Sequence, residues 1–400
     1  MGTWEQRKLG DLVDRVTRKN QDLVSELPLT ISAQYGLIDQ NEFFDKRVAS
    51  KDVSGYYLIE NGEFAYNKST STDAPWGAIK RLDRYENGVL STLYIVFGIK
   101  ENNPVYSDFL VSYYSTNLWH KGIHEIAAEG ARNHGLLNIA PADFFETKLK
   151  IPQDIEEQKK IGKYFEELER LITLHHRKCE ETKILKKYML QKMFPQNGNS
   201  VPEIRFWGFT EDWEQRKLGD MAEFSKGSGY SKGDLIESGT PIILYGRLYT
   251  KYETIISDVD TFVEAKDGSV YSKGGEVIVP ASGETAEDIA RAASVDKSGI
   301  LLGGDLNVVM PNEDINSAFL AISISNGSLQ RELARKAQGK SVVHIHNEEI
   351  RNLIVPFPTK AEQNKMENYF AALDHFITLH QKKCDELQNI KKFMLQNMFI

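Results

Sequence analysis

Two groups of polar and aromatic side chains, one in each half of the sequence, have the types that contact nucleic acids. The first group is Asn67, Lys68, Ser69, Thr70, Trp76, Lys80 and Arg81. The second group is Tyr245, Arg247, Tyr249, Lys251, Tyr252, Ser282, Glu284, Thr285, Lys340 and Ser341. Such side chains bind phosphates, exchange hydrogen bonds with base edges and pack on the thymine methyl group. One such cluster alone is more often a solvated loop, so the prediction depends on finding a cluster in both halves.

The signatures of nucleotide, metal and catalytic sites are incomplete. Gly339-Lys-Ser341 has the ending of a phosphate-binding loop, but the glycine required five residues earlier is replaced by Ala334. His120 and His124 have the spacing of two zinc ligands on one helix face, without the glutamate of a zinc protease or an evident third ligand. His344 and His346 alternate on a predicted strand, where we expect one exposed and one packed side chain. We therefore predict no metal site.

The composition is that of an ordinary globular protein, with 41% hydrophobic and 26% charged residues. No apolar run approaches the ~20 residues that a membrane span needs, and the first residues lack the apolar core of a signal peptide. We therefore expect a cytoplasmic protein. The formal net charge of −8 argues against a simple polycation, although a local basic surface remains compatible with it.

The chain contains two copies of one unit. The sequence WEQRKLGD at 4–11 returns unchanged at 213–220, and the segment 155–194 returns in altered form as 360–399. The segment VPEIRFWGFTED at 201–212 precedes the second WEQRKLGD, whereas three residues precede the first. The sequence does not decide whether the beginning of the chain is natural.

The repeated segments 155–194 and 360–399 are predicted to be long helices. Apolar residues recur in steps of three and four, which defines a heptad seam. Its members are Ile161, Phe165, Leu168, Ile172 and Cys179 in the first helix and Met366, Phe370, Leu373, Ile377 and Cys384 in the second. Asp154 with Glu157 and Thr359 with Glu362 fit capping boxes at the two helix starts. At ~1.5 Å per residue each helix is roughly 60 Å long, so we expect the two copies to pack together, antiparallel.

Between the repeated parts lie two variable bodies of mixed α and β structure. Short β-branched or aromatic runs such as Leu29–Ser32 and Glu276–Pro280 predict strands, and residues 109–119 and 317–336 predict helices. A short amphipathic helix is predicted near the start of the first copy. We place the boundaries at 1–153 for the first body, 154–194 for the first long helix, 195–212 for a linker, 213–357 for the second body and 358–400 for the second long helix.

The sequence resembles the specificity (S) subunits of type I restriction-modification systems over essentially its whole length. The resemblance is carried by the duplicated WEQRKLGD, the paired long helices, Tyr245-Gly-Arg247, Ser282-Gly-Glu-Thr285, and the run from Tyr66-Asn-Lys-Ser69 through residues 77–82 and 90–94. It implies an α+β fold in which two target-recognition domains are joined by two long helices that form an antiparallel coiled-coil spacer. The whole chain would have an internal pseudo-two-fold repeat.

The resemblance also implies a function and partners. The chain would be a non-catalytic subunit that reads a bipartite asymmetric site in double-stranded DNA, one half-site per domain. Its protein partners would be two modification subunits that bind S-adenosylmethionine and methylate adenine, and restriction subunits that act as motor-nucleases with ATP and Mg. The chain itself is expected to bind no cofactor.

Two other classes of function are weighed against this one. The first is a two-module coiled-coil scaffold that binds protein or carbohydrate and no DNA. The second is a self-contained nuclease or methyltransferase, which the missing motifs disfavour. DNA binding in a gel shift distinguishes the first alternative, and methyl transfer by the purified chain alone would favour the second.

Overall fold

The chain forms two compact units in a computed structural model that describes residues 3–32, 35–72, 74–101, 103–127, 135–196, 199–339 and 342–399. Unit 1 comprises Met1–His175 and Lys383–Ile400, and unit 2 comprises His176–Lys382. The division falls inside both long helices, so each helix contributes one part to each unit.

Unit 1 is built from short strands and helices. They are β1 Trp4–Lys8, α1 Leu9–Leu12, β2 Val13–Val16, β3 Leu29–Ser32, β4 Gly36–Asp39, α2 Gln40–Phe44, β5 Tyr57–Glu60, β6 Phe64–Asn67, β7 Ala78–Arg81, β8 Asn87–Leu90, β9 Ile95–Ile99, α3 Ser107–Tyr114, α4 His120–Ile126, α5 Pro141–Glu146, β10 Lys148–Pro152 and the first part of α6 Ile155–Lys192. The largest sheet has the strand order β2-β9-β6-β7, and β1-β10, β3-β4 and β5-β8 form two-stranded sheets.

The predicted amphipathic helix at the start of the first copy is wrong. The segment WEQRK is the strand β1, which pairs antiparallel with β10 from Trp4↔Pro152 to Lys8↔Lys148, and only α1 is helical. Val13 and Val16 belong to β2, which pairs with β9. The spacing of the apolar residues predicted one helix incorrectly, because a strand, one helical turn and a second strand follow each other within thirteen residues.

Unit 2 has its own set of elements. They are β11 Glu214–Lys217, β12 Ala222–Lys226, β13 Leu235–Ile236, β14 Thr240–Ile243, α7 Arg247–Thr250, β15 Ile255–Ile256, β16 Phe262–Val263, β17 Tyr271–Lys273, β18 Glu276–Pro280, β19 Ser282–Gly283, α8 Ala286–Ile289, β20 Ala293–Val295, β21 Ser298–Leu302, β22 Leu306–Pro311, α9 Ser317–Ile324, α10 Gly327–Lys336, β23 Val343–His344, α11 Asn347–Arg351, β24 Ile354–Phe357 and α12 Lys360–Asn397, whose last part lies in unit 1. Two five-stranded sheets have the orders β12-β22-β18-β20-β15 and β13-β16-β14-β21-β17.

Two further predictions about local structure need correction. The single helix predicted at 317–336 is two helices, because the backbone turns at Gly327 with φ of +66°. The apolar run at 136–139, from which the sequence also predicts a closing strand, forms only one isolated bridge, between Leu136 and Ser69.

The long helices pack antiparallel, and the same contacts occur in both units. In unit 1 the rings of Phe165 and Phe399 lie 5.9 Å apart, and in unit 2 the equivalent rings of Phe370 and Phe194 lie 6.2 Å apart. Interhelical ion pairs are duplicated too: Lys391 pairs with Glu169 in unit 1, and Lys186 with Asp374 in unit 2. The predicted α+β fold with an antiparallel helix pair is confirmed.

The predicted seam is buried along most of its length. Eight of its ten members are buried, and Ile172 and Ile377 are half-buried. Neither Cys179 nor Cys384 forms a disulfide; the thiol of Cys384 donates to the carbonyl of Ile172, and the thiol of Cys179 to that of Ile377. Leu185 and Tyr188, which continue the heptad in sequence, are exposed, because the seam passes to Met189 and Met193 there.

One glutamine ties each helix start to its body. The Gln158 amide donates to the carbonyls of Pro104 and Pro152 and accepts from the backbone N–H of Tyr106. Gln363, the same position in the second copy, makes the same three kinds of bond in unit 2. Both side chains are fully buried, so each body has a fixed attachment to its helix.

Candidate nucleic-acid interface

In unit 2 the structure brings two of the predicted segments together. The phenolic hydroxyl of Tyr249 donates to the carbonyl oxygen of Ser282 at 2.7 Å. Ser282 begins β19, which pairs antiparallel with β23, and its hydroxyl lies 3.1 Å from Nδ1 of His344. Residues 245–249 and 282–285 therefore form one surface, which includes His344.

The side chains of this surface differ in their exposure and in their hydrogen-bond partners within the chain. Tyr245 and Glu284 are exposed, and within the described ranges no side-chain partner is found for Glu284. Thr285 is also exposed, but its hydroxyl caps α8 by accepting from the backbone N–H of Asp288 at 3.1 Å. The Glu284 carboxylate is thus available to accept hydrogen bonds from outside the chain, as the amino group of cytosine would donate them.

Three other candidates in unit 2 are engaged inside the protein. The buried Arg247 guanidinium donates to the carboxylates of Asp260 and Glu253, each at 2.7 Å. Lys251 donates to the second oxygen of Asp260, and Lys251 and Arg247 together hold the pKa of Asp260 far below its usual value. The Tyr252 hydroxyl donates to the carbonyl of Ala292. The contacts of Arg247 and Lys251 support the segment that carries Tyr245 and Tyr249.

In unit 1 the residues 67–70 form a turn at the end of β6. The Asn67 amide oxygen accepts from the backbone N–H of Ser69, and its amide nitrogen donates to the hydroxyl of Tyr94. The Thr70 hydroxyl donates to the carbonyl of Gly135. Ser69 is exposed, and Asn67, Lys68 and Thr70 are half-buried. The turn is therefore a pre-formed polar surface.

Gly77 explains why Trp76 lies beside this turn. Gly77 has φ of +78°, and a Cβ there would lie 2.2 Å from the carbonyl oxygen of Asn67, so only glycine permits this approach. The carbonyl of Trp76 accepts from the hydroxyl of Tyr66, and the indole ring packs edge-on against His124 at 5.0 Å. The structure thus places residues 67–70 and Trp76 close together on one side of unit 1.

Lys80 and Arg81 have surroundings that differ from those of the 67–70 turn. Arg81 donates to Asp83, Ser107 and Asp108 at 2.6–2.7 Å, so its donors are committed to its own unit. Lys80 lines a cleft of about 620 Å³ with Glu169, Lys391 and Lys392 from the helix pair. Burial lowers the pKa of Lys80, and the nearby Lys391 lowers it further.

Lys340 and Ser341 lie outside the described residues. The expectation that one of His344 and His346 is packed is wrong, since both are exposed while Val343 and Ile345 are buried. Among the residues that the structure describes, no group of three or more metal-ligating side chains is found, and no helix is long and apolar enough to span a membrane.

Comparisons with known proteins agree with this architecture. Residues 210–389 match the family model of the type I restriction modification DNA specificity domain. The type I restriction enzyme MjaVIII specificity subunit of Methanocaldococcus jannaschii is 21% identical over 403 residues, which cover 97% of this chain and 90% of that protein. The putative MjaX specificity subunit of the same organism is 20% identical over 420 residues, which cover 97% of this chain and 91% of that protein.

A solved structure has the same fold. The S subunit of a type I restriction-modification system from M. genitalium superimposes with a TM-score of 0.61 at 13% identity, covering all of this chain and 96% of that one. The family match, the two relatives and the solved structure all concern specificity domains or subunits of type I restriction-modification systems. Residues 210–389 therefore match a type I restriction modification DNA specificity domain, and over its length the chain is similar to specificity subunits of type I restriction-modification systems.

Proposed function

We propose that this chain is the DNA-recognition subunit of a type I complex and that each unit reads one half of a bipartite asymmetric site. The observation that carries the proposal is a repeated frame with two different surfaces. The contacts within the helix pair, its ion pairs and the buried glutamines occur twice, whereas the surface of residues 67–70 and Trp76 in unit 1 and the surface of residues 245–249 and 282–285 in unit 2 have unrelated sequences. Two different recognition surfaces on one duplicated scaffold would allow the chain to recognise two half-sites of unrelated sequence.

Within this proposal the candidate residues have two roles. We assign DNA contact to the side chains of the two surfaces, namely Asn67, Lys68, Ser69, Thr70, Trp76, Tyr245, Tyr249, Ser282, Glu284 and Thr285. Arg81, Arg247 and Lys251 position those residues, because their side-chain donors bond to their own unit, whereas the Tyr252 hydroxyl bonds to Ala292 and Ser325 away from the recognition surface. An exposed polar side chain on a supported loop is the arrangement that allows hydrogen bonds to base edges.

The long helices are proposed to set the spacing of the half-sites. Both α6 and α12 are continuous and contribute to both units. We therefore infer that removing one heptad from each helix changes the gap between the half-sites. An unchanged gap after that deletion contradicts the spacer role.

The partners are proposed to dock on a duplicated apolar surface of the helices. In unit 2 Leu185 and Tyr188 are 44% and 47% exposed, and in unit 1 their counterparts Ile390 and Phe393 are 42% and 62% exposed. Two equivalent apolar surfaces suit two copies of one partner. We assign them to two modification subunits, which would supply S-adenosylmethionine, while ATP and Mg would belong to restriction subunits.

A gel shift tests the DNA-binding proposal against the scaffold alternative. The purified chain, alone and with its modification subunit, is titrated into duplexes that carry or lack the recognised site at roughly 50 and 200 mM salt. Site-dependent binding that persists at the higher salt supports the proposal. Absence of binding to either duplex, with and without the modification subunit and at both salt concentrations, supports the scaffold.

A further inference from the structure

The segment 201–212 covers one face of α12 in unit 2. Arg205 donates through two nitrogens to both oxygens of Glu362, each at 2.8 Å, and only 1% of Glu362 remains exposed. The ring of Phe206 meets Tyr369 edge-on at 5.9 Å, and Nζ of Lys365 lies 4.9 Å from the centroid of the Phe209 ring. The capping box predicted for Glu362 is therefore replaced by an ion pair with Arg205.

The same face exists on α6 in unit 1. Glu157, Lys160 and Tyr164 stand where Glu362, Lys365 and Tyr369 stand in the second copy. The ring of Tyr164 meets Phe165 at 5.5 Å and 79°, and that of Tyr369 meets Phe370 at 5.4 Å and 77°. The apolar part of the face is thus already arranged as in unit 2.

In unit 1 this face carries no polypeptide segment among the described residues. Tyr164 is 38% exposed and Lys160 is exposed. Within the described ranges no side-chain partner is found for the Glu157 carboxylate, in contrast to that of Glu362. A half-buried carboxylate beside an exposed tyrosine presents an acceptor for a planar, bidentate cation next to an apolar contact.

The chain itself leads to this face. The backbone N–H of Gln153 donates to the carbonyl of Thr3, and the Thr3 hydroxyl donates to the Gln153 side chain. Because Gln153 lies two residues before the start of α6, the residue ahead of Trp4 lies beside the start of that helix. In the second copy, Arg205 lies eight residues ahead of Trp213, which is the counterpart of Trp4. One contact lacks a counterpart: Lys192, which pairs with Glu203, is replaced by Asn397.

We propose that Glu157, Lys160 and Tyr164 form a peptide-binding site for a segment of the type Arg-Phe-x-x-Phe joined to the chain ahead of Trp4. The arginine binds Glu157 through both nitrogens, the first aromatic ring packs on Tyr164 and the second lies under Lys160. The position after the first aromatic residue faces solvent, as the fully exposed Trp207 does in the second copy. The inference depends on the internal repeat and not on the proposed DNA recognition.

Hydroxyl-radical footprinting of Tyr164 tests the site in the full chain. Residues 201–212 are joined directly ahead of Trp4, and the modification rate of Tyr164 is compared with that of Tyr369, which Phe206 already covers. We expect the added segment to lower the rate at Tyr164 at least twofold and to leave Tyr369 unchanged. Alanine in place of the arginine of the added segment, or Glu157→Gln in the chain, should restore the original rate.

Two outcomes overturn the proposal. One is an unchanged rate at Tyr164 when the segment is present. The other is protection that survives both the loss of the arginine and Glu157→Gln, since that would show contact without the proposed ion pair. Glu362→Gln is the matched control, because it should expose Tyr369 and leave Tyr164 as it was.

Discussion

The hydroxyl of Tyr249 donates to the carbonyl oxygen of Ser282, 33 residues further along the chain, and so joins the two recognition segments of unit 2. Burial raises the pKa of Tyr249 far above its usual value, so the phenol remains a neutral donor at neutral pH. Tyr249→Phe is expected to release the 282–285 segment and to weaken binding of cognate DNA roughly fivefold, since one such bond is worth about 1 kcal/mol.

Tyr252→Phe is the control for that variant. It also removes one hydroxyl, whose bonds go to Ala292 and Ser325 instead of the recognition surface. We expect a comparable loss of stability in thermal unfolding and unchanged affinity in filter binding. An equal loss of affinity in both variants would show that the Tyr249–Ser282 bond has no special role.

Glu284→Ala should change sequence preference without changing stability. Glu284 is exposed and has no partner among the described side chains, so its loss should alter the unfolding free energy by less than about 0.5 kcal/mol. Selection from a randomised duplex library should show relaxed preference at one base pair of the half-site that unit 2 reads. Glu287→Ala removes a neighbouring exposed carboxylate and should leave the preference intact; relaxation in both variants would count against a specific role for Glu284.

Lys80→Met should stabilise unit 1 in a pH-dependent way. Burial, with a further contribution from Lys391, lowers the pKa of Lys80 in the folded chain below its ordinary value of 10.5, while the nearby Glu169 opposes the shift. The cost of burying this charge is therefore fully present at neutral pH and disappears as the pH rises through the folded pKa towards 10.5. Urea titrations should show the variant more stable at pH 7, with the difference closing at alkaline pH.

The exposed Lys392 of the same cleft provides a control for the Lys80 prediction. Lys392→Met removes an exposed ammonium group of the same cleft and should leave the unfolding free energy at pH 7 within about 0.5 kcal/mol of that of the unaltered chain. A variant at Lys80 that is less stable at pH 7 would show that its ammonium group stabilises the cleft.

The duplicated apolar surface predicts the stoichiometry of the complex. Leu185→Glu with Tyr188→Glu should remove one modification subunit, and Ile390→Glu with Phe393→Glu should remove the other, because a charge at such a contact is desolvated without a partner. Native mass spectrometry counts the subunits that remain. Ile184→Glu is the matched control: it is 68% exposed, its counterpart is Asn389, and the predicted complex keeps both subunits.

The sequence predicted the frame of the molecule better than its surfaces. The offset of 205 residues located both long helices and eight buried seam positions, because helical periodicity is a local signal repeated over many turns. It missed the partners of Arg247 and Arg81, whose carboxylates are set by tertiary contacts. The sequence did not predict that His344 joins the surface, because the position of His344 depends on the pairing of β19 with β23. The equivalence of Gln158 and Gln363 could have been predicted, since the two glutamines occupy the same position in the repeat.

Methylation mapping tests the central claim most directly. The chain is expressed with the modification subunit of its own system in a host that lacks both, and methylated adenines are located by long-read sequencing. We predict one new motif with two unequal half-sites and a gap of fixed length, and we predict that exchanging residues 213–357 for those of another specificity subunit changes one half-site only. No new motif, or a motif unaffected by that exchange, would contradict the account.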